Sequence, residues 1–269
     1  MNRKPKLGQN FLVDPSASRA IADALGDVSE RTVLEIGPGQ AAITELLAAR
    51  ARRLVAVELD HDMALQLQVQ FASHANVEVV ERDILKIDFS SVMQGETGKL
   101  AIVGNLPYYI TSDILLRIFA SHAVVSHAIL MVQREVADRV AAVPGTSDYG
   151  LLSATTQLYA RVEKLFTLPP AAFSPPPDVY STVLRLTMQP RLEELGVEPV
   201  PFTLFLRKSF AQKRKTLANN LRAGGYTSAQ IAKALEECGV PPQIRAEALP
   251  LEAAAAIYRR LSPDETPAN

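Results

Sequence analysis

Short, continuous apolar runs alternate with amphipathic stretches along the first two thirds of the chain. "TVLEIG" (32–37), "RLVAVELD" (53–60), "VEVVERD" (77–83), "LAIVGNLPY" (100–108) and "AILMVQ" (128–133) each read as a strand buried on both faces. "AAITELLAAR" (41–50) and "HDMALQLQVQFA" (61–72) between them carry a helical period. Such alternation predicts βαβ units and an open parallel sheet. Two later runs, "RVEKLFTL" (161–168) and "STVLRLTM" (181–188), have only the proline-rich "PPAAFSPPPD" between them, so an antiparallel pairing is expected there. "QPRLEELGVEPVP" (189–201) reads as a linker. Helical patterns alone follow it, at 202–222, 227–238 and 251–261, broken by "RAGGY" and "CGVPPQ". The expected organisation is an α/β domain over 1–189, a linker over 190–201 and a small all-helical domain over 202–269.

The length of 269 residues suits such a pair, and a 48% apolar fraction is enough for a core. A net charge of −1 excludes a chain that wraps nucleic acid over its whole surface. Local basic patches are another matter. Arg3, Lys4 and Lys6 crowd the N-terminus, and Arg207, Lys208, Lys213, Arg214, Lys215 and Arg222 fall in one run without an acid. The single cysteine, Cys238, excludes an internal disulfide and fits a reducing cytosol. The four scattered histidines have no cysteine partners, so no metal site is expected. No segment has the form of a signal peptide or membrane span, and a cytoplasmic monomer is the expectation.

Three features line up at the carboxyl ends of successive strands, where open α/β sheets bind ligands. Gly37 and Gly39 follow the first strand in the spacing Gly37-x-Gly39-x-x-Ala42. Glu58 ends the second, 21 residues after Gly37, with two acceptor oxygens for a ribose diol. Asp83 ends the third and can accept from an adenine amine. The set fits an adenosine ligand, either a nicotinamide cofactor or S-adenosylmethionine.

The fourth strand decides between them. "NLPYYITSD" (105–113) offers the Asn105 amide carbonyl, a turn at Pro107 without an N–H, and the flat face of Tyr108. Adenine's amine is a poor nucleophile because its lone pair is delocalised into the ring. Hydrogen bonds from its two N–H groups to Asn105 and a backbone carbonyl localise that pair, and Tyr108 supplies a stacking surface. A methyl acceptor of this kind needs a sulfonium methyl donor, so S-adenosylmethionine fits better than a nicotinamide.

"NLPY" resembles the Asn/Asp-Pro-Pro-aromatic motif of adenine amino-methyltransferases. Five blocks, "KLGQNFLVD" (6–14), "LEIGPGQAAIT", "FSPPPDVYSTVLRL" (173–186), "FAQKRKTLANNL" (210–221) and "RAEAL" (245–249), resemble the ribosomal RNA adenine N6,N6-dimethyltransferase family, in its bacterial small-subunit (16S) branch. The resemblance implies a Rossmann-like S-adenosylmethionine-dependent methyltransferase sheet with a small helical domain. It implies dimethylation of two adjacent adenosines in the 3′-terminal hairpin of small-subunit rRNA, on an immature 30S subunit. Asn10, Leu12, Gly37, Glu58, Asp83 and Asn105 would contact the cofactor. Asn105, Leu106, Pro107 and Tyr108 would form the catalytic turn, with Tyr108 and Phe173 sandwiching the flipped adenine. The basic run 207–222 would dock rRNA. Tyr109, Asp178 and Tyr180 depart from residues common in the family. The alternatives are the large-subunit enzyme of macrolide resistance, an assembly factor whose binding outweighs its catalysis, and a dehydrogenase. The dehydrogenase gives no account of "NLPY".

Overall fold

The computed structural model describes residues 10–261, and Arg3, Lys4 and Lys6 lie outside them. Two compact units emerge: one holds the described residues to Ala137 together with Arg161–Met188, the other Asp138–Ala160 and the chain from Gln189 onward.

The first unit is built on a seven-stranded sheet: β1 (Thr32–Ile36), β2 (Arg53–Glu58), β3 (Val77–Glu81), β4 (Leu100–Asn105), β5 (Val125–Gln133), β6 (Ala160–Leu168) and β7 (Ser181–Met188). Their order is β3-β2-β1-β4-β5-β7-β6. The pairs among β1 to β5 are parallel, and β5 meets β7 antiparallel. The expected pairing of the last two runs takes the form of adjacency between β6 and β7, with β7 inserted beside β5. The apolar runs are continuous because both faces are covered. Val33, Leu54, Ala101, Val103, Ile129, Met131 and Val183 share one core with Ile21 and Leu25 at the end of the helix Pro15–Ala24. The neighbours of opposite parity, Leu34, Val55, Ile102, Leu130 and Leu184, are equally buried. Helix starts are locally specified: Asp14 and Asp60 accept backbone N–H bonds from Ser16 and Met63, capping Pro15–Ala24 and His61–Gln70.

Strand order fixes where a ligand goes. From β1 the chain steps to β2 and β3 on one side, then returns to place β4 on the other. The crevice beyond the carboxyl ends of β1 and β4 is therefore the topological switch point. Gly104 brings those two strands close. A Cβ there would stand 2.8 Å from the Ile36 carbonyl oxygen, a backbone atom that cannot move aside cheaply.

The second unit is helical. Its core stacks Phe202 on Phe205 with centroids 6.0 Å apart, and Tyr258 packs against both at 5.3 and 5.6 Å. The boundary differs from expectation in two respects. Residues 138–160, including the helix Leu151–Tyr159, group with this unit. The supposed linker carries a short helix, Leu192–Leu195, and the first turn of Pro199–Ser209. The expected helix over 202–222 is two helices, Pro199–Ser209 and Leu217–Ala223. Asn220 explains the break: its amide nitrogen donates to the carbonyls of Ser209 and Gln212, pinning the intervening loop. Thr216 then caps the second helix by accepting from the Asn219 N–H. Among the described residues no helix is long and apolar enough to cross a membrane.

Candidate active site

A solvent-open cleft lies at the switch point, within the first unit. Asn10, Gly37, Glu58, Asp83, Asn105, Leu106, Pro107 and Tyr108 all line it, as do Gly39 and Tyr109. Residues separated by almost a hundred positions meet there because four parallel strands end at one level.

Gly37 and Gly39 sit at φ of +67° and +56°, conformations that favour glycine. A Cβ on Gly39 would also approach the Phe11 ring to 3.0 Å. The loop's third left-handed residue is Ala41, at φ +65°. A non-glycine there is costly, and such strain persists where the surrounding structure holds it. The loop is tied to β2 by Glu58, whose carboxylate is buried and accepts from the N–H groups of Gly39 (3.2 Å), Leu59 (2.8 Å) and Asp60 (3.0 Å). Two carboxylate oxygens offer about four lone-pair positions, so three backbone donors leave acceptor capacity toward the cleft. Asp83 accepts from Leu85 N–H at 3.0 Å through one oxygen and keeps the other available. These residues fit an adenosine-bearing cofactor: close backbone approach at the glycines, anionic acceptors for a diol and an amine, and an apolar wall from Ile36, Val57 and Ile84.

Asn105 is oriented by the chain itself. Its Nδ2 donates to the Asn10 carbonyl at 3.0 Å. A carbonyl can only accept, so the NH₂ end must face Asn10, and Oδ1 is the end left to accept from a ligand. Tyr108 is held by its hydroxyl, 3.3 Å from that of Ser181. The Pro107 carbonyl accepts from the Ile110 N–H and the Thr111 hydroxyl as the helix Thr111–Ala120 begins. It is therefore occupied, whereas Leu106 is anchored through its N–H to the Met131 carbonyl at 3.0 Å.

Two expected residues do not reach the cleft. Leu12 and Phe173 pair across a two-stranded ribbon, Phe11–Leu12 with Phe173–Ser174, and both are buried in the core. Phe173 is 3% exposed, because an apolar ring with core on offer packs inward. The structure thus shows no aromatic sandwich between Tyr108 and Phe173.

Glu35 stands apart from the residues that the sequence singles out. It lies in the middle of β1, fully buried, and its Oε2 has no hydrogen-bond partner. Burial pushes its carboxyl up to about 8; the nearby Thr44 hydroxyl opposes this, and the Glu58 charge adds to it. The only sequence signal was an acid inside an apolar run. Between the ordinary glutamate value of 4.5 and about 8, the folded chain holds a proton that the unfolded chain has lost. Stability should therefore fall as pH rises through that window, by about 1.4 kcal/mol per unit at most from this group. Glu35→Gln should remove the fall. Urea midpoints measured from pH 5 to about 8 should drop for the wild type relative to the variant; parallel curves would mean that Glu35 is ionised in the fold.

The basic run sorts into two groups. Lys213 donates to the Ser147 carbonyl at 2.6 Å, Lys208 lies 5.1 Å from the Tyr226 ring centroid, and Arg222 bonds Ser228 and Asn219. These three serve the helical unit. Arg207, Arg214 and Lys215 are exposed, the last two in the loop between helices. The loop removes the single helical face on which Arg207, Arg214 and Lys215 were expected.

The model of the family described as "Ribosomal RNA adenine dimethylase" matches residues 1–262. The ribosomal RNA small subunit methyltransferase A of Acidobacterium capsulatum is 61% identical over 259 residues, 96% of this chain and 91% of its own. The protein of that name from Koribacter versatilis is 54% identical over 270 residues, 96% of this chain and 94% of its own. A dimethyladenosine transferase from Plasmodium falciparum shares the fold, with a TM-score of 0.78 at 23% identity over 92% of this chain and 95% of that one. The 23S rRNA methyltransferase ErmE superposes with a TM-score of 0.68 at 26% identity, over 94% of this chain and 99% of that one.

Proposed function

We propose, since this chain belongs to the ribosomal RNA adenine dimethylase family, that it dimethylates two adjacent adenosines in the 3′-terminal hairpin of 16S rRNA. The chain is an rRNA adenine dimethyltransferase, and S-adenosylmethionine is its expected cofactor. The finer reading places its action late in small-subunit assembly, on an immature 30S particle, as a cytoplasmic monomer.

The observation that carries the chemistry is the Asn105 amide, tied back at its nitrogen by Asn10. That bond presents Oδ1 as an acceptor for one adenine N–H, with the Leu106 carbonyl as our candidate for the other. Two acceptors in a fixed geometry draw the amine's lone pair out of conjugation before any bond forms. S-adenosylmethionine, when bound, supplies an electrophilic methyl on a sulfonium with a neutral leaving group. No strong base is needed, because the amine becomes cationic and acidic once methylated and sheds its proton to solvent afterwards, so the site requires positioning rather than a shifted titratable group. Tyr108, fixed through Ser181, offers one stacking face for the flipped base. Glu58, Asp83 and the Gly37–Gly39 loop would hold the cofactor.

The choice of the small subunit is supported by identities of 61% and 54% to relatives of that name, against 26% to ErmE. The test is labelled methyl transfer to immature small subunits, with mature small subunits and large subunits as controls. Label confined to immature small subunits supports the reading, and label in large subunits transfers it to the large-subunit alternative.

Arg207, Arg214 and Lys215 would meet rRNA phosphates from the helical unit. Arg214→Glu with Lys215→Glu should weaken subunit binding and lower the slope of log affinity against log salt by about 1 for each phosphate no longer neutralised. Cofactor affinity should be unchanged, since the cleft residues all belong to the other unit. Identical affinities and slopes in a potassium chloride titration would assign the loop to solvent alone.

A further inference from the structure

We propose that Arg134 and Tyr180 form a stacking site for the nucleotide next to the target adenosine. The choice of ligand rests on the function proposed above. The Arg134 guanidinium lies 5.3 Å from the Tyr180 ring centroid, and the Arg134 N–H donates to the Tyr180 carbonyl at 3.0 Å. The pair is thus held by main chain and side chain together, with a cation behind one face of the ring. Both residues are exposed, Tyr180 by 46%. Packing does not account for an aromatic ring placed in solvent and braced there.

Its position points to RNA. Tyr180 immediately precedes Ser181, whose hydroxyl meets that of Tyr108. Arg134 immediately follows Gln133, the partner of Ser181 across β5 and β7. The pair therefore stands one residue beyond the Tyr108 anchor, at the end of two adjacent strands, and neither residue lines the cleft. A base inserted into the cleft leaves its chain neighbours on the rim, within reach of such a platform. A purine stacks on any exposed π-face, and the guanidinium draws electron density from the ring, which strengthens stacking with an electron-rich base.

The side chains indicate which part of the nucleotide is held. The Arg134 guanidinium is turned to the Tyr180 ring, so what the pair presents is a π-face, which suits a base and not the backbone. In this it differs from Arg207, Arg214 and Lys215, whose contribution should follow counterion release.

The experiment is fluorescence anisotropy of the full chain with a labelled RNA hairpin whose loop carries adjacent adenosines. Tyr180→Ala should weaken binding by about tenfold, the effect of removing one base–aromatic stack. The loss should be the same at low and at physiological salt, and Tyr180→Phe should bind as the wild type does. Calorimetry should find S-adenosylmethionine affinity unchanged in both variants. Unchanged hairpin affinity in Tyr180→Ala overturns the proposal. So does a loss in Tyr180→Phe as large as that in Tyr180→Ala, which would assign the hydroxyl, or a loss that vanishes with salt, which would assign charge. Failure of the wild type to methylate small subunits would remove the function above but leave this comparison of affinities readable. Failure of the wild type to bind the hairpin would remove the stacking site as well.

Discussion

Asn105→Ala should reduce methyl transfer by at least about a hundredfold while leaving a folded protein, the scale seen when one preorganised polar group is removed from a reacting centre. The structure separates the two consequences. Stability loses the bond from Nδ2 to the Asn10 carbonyl, worth about 1 kcal/mol. Catalysis would lose the oxygen proposed to accept from the adenine amine. Asn105→Asp tests the division further: it keeps acceptor oxygens but cannot donate to Asn10, so it should retain more activity than the alanine variant. Single-turnover rates with saturating cofactor, alongside thermal unfolding, read both quantities. A near wild-type rate in Asn105→Ala would mean that the lone pair is localised by something else.

Glu58→Gln should weaken S-adenosylmethionine binding by about 10- to 100-fold, the loss expected when hydrogen bonds to a charged acceptor are replaced. Glutamine is the informative substitution because Glu58 has a second task. Its carboxylate collects three backbone N–H groups, from Gly39, Leu59 and Asp60. Alanine would release the glycine loop along with the ligand contact, whereas an amide keeps one acceptor and the same volume. RNA hairpin binding should be nearly unaffected. Calorimetry showing wild-type cofactor affinity in Glu58→Gln would remove the residue from the binding site and leave it as a loop anchor.

The parallel strands were legible in the sequence because burial on both faces gives runs such as "VLEI" and "LVAV", with little competing pattern. The cleft was legible for the same reason: once strand ends are known, Gly37, Glu58, Asp83 and Asn105 must converge. What escaped depends on long-range contacts. Nothing local to Phe173 says that its ring turns into the core beside Leu12. The break at 210–216 is made by an asparagine several residues on, Asn220, reaching back to two carbonyls. Residues 138–160 leave the sheet and join the helical unit, with Ala154 and Leu158 buried, and nothing local to them names that partner. Glu35 shows the limit in another way. Its charge state follows from burial, which a run of letters does not disclose.

The most direct test of the central claim is to map the product. Immature small subunits are incubated with the chain and methyl-labelled S-adenosylmethionine, and the rRNA is digested and sequenced by mass. The account predicts two neighbouring N6,N6-dimethyladenosines in the 3′-terminal hairpin of 16S rRNA, and none from Asn105→Ala. Label on large-subunit rRNA, on a base other than adenine, or on no RNA at all would contradict it.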